Sequence, residues 1–455
     1  MAHKESCSGV GRECRAYSLS LNRIVPDYDG QWQGITVASD GACYFGSSTH
    51  SYRHGAGFFR FDPASRELSI LAEDMSAVCG EDLTRTPPQG KIHSPIVEAG
   101  GWLYFATHMA NYWEEARNAY TGAHVIGYEL ATGRFRDFGI VRPRFSIYSA
   151  IDVDPVRQRL YVFSVPFAAA DIESDGSHLY VIDIASGAGR DLGTVVPRRQ
   201  TGCFWFYVDH RGDCWFTFWQ MHGRCPEGGH GNLYHVVADS LQIERLDGVL
   251  PDCRLAPEGE LLPQAQQDAR SWSWATALPG RARALFAMGH HCGDDERLWL
   301  FDPTKSIERG EAFQPVGYIG PTFLPVALGR ERVFYIQRGD PRSARGWSAE
   351  AHRELDPDVV GRSEDLHLKS ISLEPQTYGA VVDHGRIVDQ DGRLPRHIDS
   401  LAADQAGRVY MVGSWHLLPG EQGTLQIAWE DPSRPFHPVK RAQRFACVDV
   451  SEDLR

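Results

Sequence analysis

The stretch KIHSPIVEAGGWLYFATH, residues 91–108, carries two imidazoles in a pattern that could bring them together. Apolar segments lie on both sides of Gly100-Gly101, which is typical of two strands joined by a two-residue turn. In that register His93 lies directly opposite His108, with Cβ atoms roughly 5 Å apart. Three interpretations are open at this point: a structural hydrogen-bonded pair, a metal clasp, or the proton-transfer groups of an active site.

The same strand pattern recurs along the chain. Alternating apolar and polar segments bounded by Gly, Asp and Pro include ITVASDGACYFGSS, YSAIDVDPVRQRLYVFS and WFYVDHRGDCWFTFW. Aligned starts of the first strands recur roughly every 60 residues, which favours repeated four-stranded units. These starts are Gln33, His93, Tyr148, Trp205, Trp274, Phe323 and Asp399.

We therefore predict an all-β fold, a seven-bladed β-propeller of four-stranded antiparallel blades, as a single domain over residues 1–455. The last blade supplies only three strands, ending in RFACVDV. The N-terminal segment CRAYSLSLNRI is expected to complete that blade and close the ring. Six or eight blades are the alternatives.

The predicted architecture places three protic side chains at the mouth of the axial channel. The start of a first strand and the end of a second strand lie on the same rim, which puts His93 beside His108 in blade two. Tyr148 starts the first strand of blade three, next to them. Propeller rims bind ligands, so we predict a functional site here. The alternative is that the three side chains only bond one another beneath a loop.

The composition removes several function classes. A formal net charge of −13 over 455 residues argues against a general binder of nucleic acids or anionic membranes. No apolar run reaches the roughly 20 residues of a spanning helix. The N-terminus lacks the apolar core of a signal peptide, so we expect a cytoplasmic protein, or a secreted or periplasmic one if a leader was removed. Ten scattered cysteines are expected to be mostly buried thiols, and no nucleotide-binding glycine loop, GxSxG or HExxH motif is present.

The register of His93, His108 and Tyr148 over residues 91–165 resembles that of the seven-bladed propeller polysaccharide lyases, the ulvan lyases and the rhamnose–glucuronate lyases. This resemblance implies β-elimination at a uronic acid. The reaction needs a base for the C5 proton, an acid for the leaving O4, and donors that neutralise the carboxylate. Tyr148 could serve as the acid or the base. The two histidines could bridge the carboxylate or act as its acid/base partner, and the assignment stays open.

The chain departs from the family at one position. Ulvan lyases carry an arginine near the end of the second strand of blade three, where this chain has Ser164 and Val165. The candidates for a replacement cation are Arg338, Arg199, Arg144 and Lys91. Aromatic side chains predicted near the rim could stack on sugar rings, with Gln220 holding hydroxyls. They are Trp205, Trp215, Trp219, Trp272 and Trp274, of which Trp219 and Trp274 are the predicted substrate contacts, although such rings also fill the wedge between blades.

A metal is a second hypothesis, although the predicted chemistry requires no cofactor. His222, Cys225, Cys253 and Cys292 could hold a structural zinc, as the resemblance to ulvan lyases implies; calcium is the other candidate ion. Their spacing is irregular, and buried thiols with loop histidines are the alternative. A metal-dependent lyase of the oligogalacturonate type, also seven-bladed, could combine His93 and His108 with His50, His397 or His416.

Together these observations predict a lyase that cleaves uronate-containing oligosaccharides or polysaccharides. The rival class is a non-catalytic propeller that binds carbohydrate or protein, because a propeller fold does not determine one function. The two differ in what the rim must hold. A lyase needs an acid, a base and a cation within the width of one sugar, whereas a binding platform needs only stacking and hydrogen bonds. The oligomeric state is left open.

Overall fold

The computed structural model describes residues 12–148, 150–196, 201–222, 232–251, 271–289, 296–320, 326–338, 366–421, 423–425, 427–428, 431–435 and 440–454. Strand β1, Glu13–Ser20, precedes the repeated sheets. The first sheet contains β2 (Ile35–Val37), β3 (Cys43–Ser47), β4 (Gly57–Asp62) and β5 (Glu67–Ala72). The second contains β6 (Val97–Ala99), β7 (Trp102–Ala106), β8 (His124–Glu129) and β9 (Phe135–Ile140).

The next three sheets repeat this antiparallel order. In the third, two short strands, β10 (Phe145–Ser146) and β11 (Ile151–Asp154), both pair with β12 (Arg159–Pro166), which β13 (Ser177–Asp183) and β14 (Gly189–Val196) follow. The fourth contains β15 (Thr201–Val208), β16 (Cys214–His222), β17 (Leu233–Val236) and β18 (Ile243–Leu246). The fifth contains β19 (Ser271–Ala277), β20 (Ala284–Gly289), β21 (Glu296–Phe301) and β22 (Phe313–Gly320).

The remaining sheet has eight strands. One half is β23 (Val326–Leu328), β24 (Arg332–Arg338), β25 (Leu366–Ser372) and β26 (Val381–Asp389). The other half is β27 (Pro395–Ala403), β28 (Arg408–Trp415), β31 (Ala442–Asp449) and β1. A separate two-stranded sheet joins β29 (Ile427–Ala428) to β30 (Asp431–Pro435). The described helices are α1 (Met75–Val78), α2 (Glu114–Ala119), α3 (Ala169–Ser174) and a 3-10 turn, Ser451–Leu454.

The fold is an all-β propeller with four-stranded antiparallel blades, but the predicted count of seven separate blades is wrong. Five separate blades are present, and eight further strands form one continuous sheet. The cause is β1, which pairs antiparallel with β31, as predicted for closure, and also parallel with β26. A strand with partners on both edges merges the sheets on either side of it. Period-2 sequence patterning cannot reveal the parallel partner, because it reports which face is buried and not which edge is paired.

The inner strands of the sheets surround one axial cavity of about 350 Å³, lined by residues of β2, β6, β11, β15, β19, β23 and β27. Aromatic and aliphatic side chains fill the spaces between sheets; Phe45 and Phe445, for example, stack at 4.5 Å across the closing junction. Cys14, Cys43, Cys79, Cys214 and Cys447 are free thiols, of which Cys14, Cys43 and Cys214 are buried. None of the described helices has the length and apolar character that a membrane-spanning segment requires.

The junction between β1 and β26 generates a stability prediction. Gly385 has φ +106°, and a Cβ there would lie 2.2 Å from the carbonyl oxygen of Arg12. We expect Gly385→Ala to lower the unfolding free energy by about 1–3 kcal/mol, because the backbone is strained and the parallel pair must separate. Urea denaturation followed by circular dichroism measures the loss. Gly392→Ala is the matched control, since Gly392 has φ +83° and its Cβ would meet nothing within 4 Å. Equal losses in both variants would contradict the close packing of Arg12 on Gly385.

Candidate active site at the rim of the second sheet

The hairpin of β6 and β7 keeps its predicted turn but not its predicted register. Gly100 and Gly101 have φ of +58° and +78°, as a two-residue turn with left-handed central positions requires, and Ala99 pairs with Trp102. Farther along, Lys91 and not His93 is bridged to His108. The predicted opposition of His93 to His108 is therefore wrong.

Two extra residues on the β6 side cause this shift. Pro95 has no N–H to contribute to the ladder, and the hydroxyl of Ser94 accepts instead the N–H of Ala106 at 2.9 Å. The ladder resumes at the paired hydrogen bonds between Lys91 and His108, with N···O distances of 3.0 and 2.8 Å. As a result, His93 lies in an irregular segment between two fixed points.

The structure nevertheless brings the three predicted rings together. The His93 ring lies 4.0 Å from that of Tyr148 and 5.5 Å from that of His108, and the His108 and Tyr148 rings are 5.3 Å apart, centroid to centroid. Trp32 stacks on the other face of the cluster, 5.6 Å from His93 with an interplanar angle of 11°. Tyr148 and Trp32 are half-buried, whereas His93 and His108 are buried. The cluster is therefore partly exposed at Tyr148 and at Trp32, and buried at the two histidines.

His108 is held on both sides of its ring. Its Nδ1 lies 2.6 Å from the hydroxyl of Ser146, and its Nε2 lies 2.5 Å from the hydroxyl of Tyr112. Burial, reinforced by the charges of Lys91 and His93, lowers the pKa of His108 well below its ordinary value. A neutral imidazole offers one donor and one acceptor, so both ring nitrogens are satisfied by the two hydroxyls. His108 therefore positions Tyr112 and couples the second sheet to β10.

Lys91 is buried beneath this cluster. Its Nζ donates to the carbonyl oxygens of Met109 at 3.1 Å and Ala110 at 2.7 Å, and it lies 4.2 Å from the centroid of the Tyr112 ring. Burial lowers the pKa of Lys91 to about 7, against the opposing charge of Asp29. Lys91 was predicted as a cation for the substrate carboxylate, but the structure directs its ammonium to the backbone of residues 109 and 110.

An Asp–His pair from the first sheet adjoins the cluster. His50 Nδ1 lies 3.0 Å from Asp29 Oδ1, and both side chains are buried. The His50 ring meets Trp32 edge to face at 5.3 Å, and its Nε2 makes no hydrogen bond within the described part of the chain. Burial lowers the pKa of His50, with Asp29 opposing and Lys91 and Arg441 adding to the effect. Sequence reasoning named His50 only as a metal ligand and missed Asp29.

Comparison of the first two sheets shows the signal that could have found this pair. Gly30 is bridged to Ser48 as Lys91 is bridged to His108. In each sheet an aromatic ring follows two residues after the bridge, Trp32 in the first and His93 in the second, and these two rings stack. Aligning the repeats on these bridges would have placed the residues around Gly30 and Ser48 at the same rim.

Arg441 is a further cation near the site, and the sequence analysis did not predict it. Arg441 donates to the hydroxyl of Ser414 at 3.2 Å, and its charge lowers the pKa of His50. Arg441 begins the segment that leads into β31, at the bridge between Thr424 and Arg441. It was not a candidate, because sequence distance gave no reason to place residue 441 beside residue 50.

The other residues predicted to contact the substrate or a metal either lie away from the ring cluster or have side chains that the structure does not describe. Arg144 forms an ion pair with Asp171 of α3, and its side chain is about half exposed. Trp274, only 8% exposed, packs in the core with Trp205, and both line the axial cavity. For the other predicted substrate and metal contacts, the residue or its side chain lies outside the described part of the chain. They are Arg199, Arg338, Trp219, Gln220, Trp272, His222, Cys225, Cys253 and Cys292.

Among the described residues, one group of three candidate metal ligands has its ligand atoms within 4.8 Å of one another, namely Cys79, His124 and Asp137. His124 lies on β8 and Asp137 on β9 of the second sheet, whereas Cys79 directly follows α1. The group includes none of the rim histidines. His124 already contacts Asp137 at 2.8 Å and Glu81 at 3.1 Å. Although burial opposes it, these carboxylates raise the pKa of His124. The His124 ring is therefore already held between two carboxylates, with one at each ring nitrogen.

Comparison with known proteins yields resemblances to solved structures only. No family model and no curated protein matches the chain. An oligogalacturonate lyase in complex with manganese is 11% identical with a TM-score of 0.47, covering 98% of this chain and 99% of that one. The oligogalacturonate lyase of Vibrio parahaemolyticus is 10% identical with a TM-score of 0.48, covering 98% and 100%. The GH74 enzyme of Niastella koreensis is 10% identical with a TM-score of 0.49, covering 86% and 52%. Likeness at this level does not identify an activity.

The burial of Lys91 generates a prediction about pH. Because its pKa is lower in the folded than in the unfolded protein, the unfolded chain binds more protons between about pH 7 and pH 10. The destabilisation caused by burying the charged ammonium of Lys91 is therefore complete below pH 7. It decreases as the pH rises. We expect the unfolding free energy of the wild type, relative to Lys91→Met, to rise with pH in this window at up to about 1.4 kcal/mol per pH unit.

Denaturation at pH 6, 7, 8 and 9 measures this difference. Lys305→Met is the control, because Lys305 lies exposed on the surface and its removal should leave the slope unchanged. A pH-independent difference between wild type and Lys91→Met would contradict a buried ammonium that loses its proton near neutrality.

Proposed function

We propose that this protein is a lyase that cleaves uronate-containing oligosaccharides or polysaccharides by β-elimination at the His93–Tyr148 pair. The observation that carries the proposal is the 4.0 Å contact of these two rings where the cluster is partly exposed, beside the stacked ring of Trp32. An imidazole and a phenol that meet at the rim of a propeller can exchange protons with one bound sugar.

The reaction has a defined balance of bonds and protons. A base removes the C5 proton, and the electron pair of the C5–H bond forms the C4=C5 double bond. The C4–O4 bond breaks, and O4 takes a proton from an acid. Negative charge accumulates on the uronate carboxylate during this change, so donors placed at that carboxylate lower the barrier.

The described side chains can supply each role. An imidazole can accept a proton and a phenol can donate one, so we assign His93 as the base at C5 and Tyr148 as the acid at O4. Since the two rings contact each other, we assign both proton transfers to one face of the sugar. Exchange with solvent afterwards returns both groups to their starting states.

The carboxylate then faces the remaining donors of the cluster. Arg441 is the cation we assign to it, in place of the arginine that the resembled lyases carry at the position of Ser164. The hydroxyl of Tyr112 is the second donor we assign, which requires that it accept the proton of His108 Nε2–H. Trp32 supplies a flat apolar surface for the sugar ring. His108 acts through Tyr112 and is a positioning residue in this scheme.

The test is an ultraviolet assay for the unsaturated product with rhamnose–glucuronate and galacturonate oligosaccharides. We expect Tyr148→Phe and His93→Gln each to lower kcat by about 10²–10⁴-fold, since each removes one proton-transfer group. Tyr104→Phe is the matched control, because Tyr104 lies in the same hairpin but packs in the core. It should retain activity.

Two outcomes overturn the proposal. The first is no product from any of these substrates, which would favour a non-catalytic carbohydrate-binding propeller. The second is full activity of Tyr148→Phe together with His93→Gln. A parallel reaction with a chelator identifies dependence on a metal, which this assignment of roles does not require.

A further inference from the structure

An aromatic and cationic surface lies beside the site. Tyr52 is the one aromatic side chain among the exposed large hydrophobic residues of the described part, with 51% of its surface exposed. Its ring meets that of Trp113 edge to face at 6.3 Å, and the guanidinium of Arg53 lies 5.4 Å from its centroid. We call Tyr52, Arg53 and Trp113 the outer platform.

The outer platform is continuous with the rim cluster through the backbone. Tyr52 follows His50 by two residues, so their Cα atoms are within about 7 Å. Trp113 follows Tyr112, whose hydroxyl bonds to His108. The first sheet therefore contributes Tyr52 and Arg53 on one side, and the second contributes Trp113 from the start of α2 on the other. The platform spans the same pair of sheets as the stacked rings of Trp32 and His93.

Arg53 differs from the described arginines whose charge is balanced by carboxylates of the same chain. Arg157 and Arg393, for example, pair with two or more carboxylates. Within the described ranges, the exposed guanidinium of Arg53 has neither an ion pair nor a hydrogen bond, and only its backbone N–H is bonded, to the hydroxyl of Ser51. A guanidinium held over an aromatic face and open to solvent retains its donors for an external carboxylate.

From this arrangement we propose that the outer platform is a second sugar subsite, which binds a neighbouring uronate of the same chain that reaches the His93–Tyr148 pair. The apolar face of that sugar packs on Tyr52 and Trp113, and its carboxylate bonds to Arg53. Glu114 and Glu115, exposed immediately after Trp113, repel an anion and direct the carboxylate toward Arg53. This inference rests on the proposed function, because it extends the same substrate.

The kinetic test compares substrates of different length. Tyr52→Ala, Trp113→Ala and Arg53→Gln are assayed with disaccharide and tetrasaccharide substrates of the rhamnose–glucuronate and galacturonate series. We expect each variant to raise KM for the tetrasaccharide about 10-fold while kcat stays within about twofold, because only binding outside the reacting sugar is lost. The KM for the rhamnose–glucuronate disaccharide, which contains a single uronate, should not change. The effect of Arg53→Gln on the tetrasaccharide should shrink at high salt.

Arg66→Gln is the matched control. Arg66 also lies over a tyrosine ring, that of Tyr17 at 5.2 Å, but on the outer surface of β1 and the turn before β5. It should leave both KM values unchanged. Equal effects of the platform variants on short and long substrates, or no effect on either, would overturn the subsite while leaving the lyase proposal intact.

A binding measurement separates the two proposals. Calorimetry with the uncleaved tetrasaccharide and Tyr148→Phe protein reports on the subsite without turnover. If no substrate is cleaved but Arg53→Gln weakens tetrasaccharide binding about 10-fold, the lyase assignment fails and the subsite stands. If the tetrasaccharide does not bind, or binds equally well to Arg53→Gln protein with an unchanged melting temperature, the subsite is overturned.

Discussion

The pair of backbone hydrogen bonds between Lys91 and His108 is the constraint on which the geometry of the rim depends. These two bonds restore the pairing of the β6–β7 hairpin beyond the interruption at Pro95. They therefore fix one end of the irregular segment that contains His93. His93 lies within that segment, two residues after Lys91. His108 bonds in turn to Ser146 and Tyr112. A single bridge therefore sets the positions of rings that belong to two neighbouring sheets.

The same region contains several buried polar and charged side chains. Lys91, His108, His50 and Asp29 are at most 4% exposed. Burial lowers the pKa of each of the three basic groups, and Asp29 is the counter-charge that favours protonation of Lys91 and His50. Burying a polar group costs free energy unless the group forms a hydrogen bond, and nearly all of these groups form one. Such a network is rigid, which suits a site that must hold donors before the substrate arrives.

The parts of the molecule that could be predicted are those governed by local patterning. Alternation identified the strands, Gly100-Gly101 identified the turn, and repeat alignment brought Tyr148 to His93. The register failed where Pro95 and the hydroxyl of Ser94 replaced a regular ladder, an effect of one side chain on one N–H group. Asp29 was missed because the repeats were aligned on strand starts and not on the Gly30–Ser48 bridge. Arg441 was missed because its proximity to His50 joins segments that are distant in the sequence.

Blade counting failed for a related reason. Strand periodicity describes the two faces of a sheet, whereas separation into blades depends on whether its edges are paired. The edge of β26 is covered by β1, about 370 residues earlier in the chain. Because both partners are otherwise ordinary amphipathic strands, their composition carries no indication that they meet.

The double pairing of β1 also determines the order in which the molecule can assemble. Tyr17 is made early, yet its antiparallel partner, Cys447, leaves the ribosome some 430 residues later. Both edges of β1 are unpaired until β26 is made, and the edge that pairs with β31 is unpaired until the end of this interval. The intervening sheets can each fold from neighbouring segments. Among the described strands, closure is therefore the pairing of greatest sequence separation, and it follows the synthesis of the five separate sheets. A nascent chain stalled before residue 442 would expose β1 to strands of other chains, which makes this strand the vulnerable point of biogenesis.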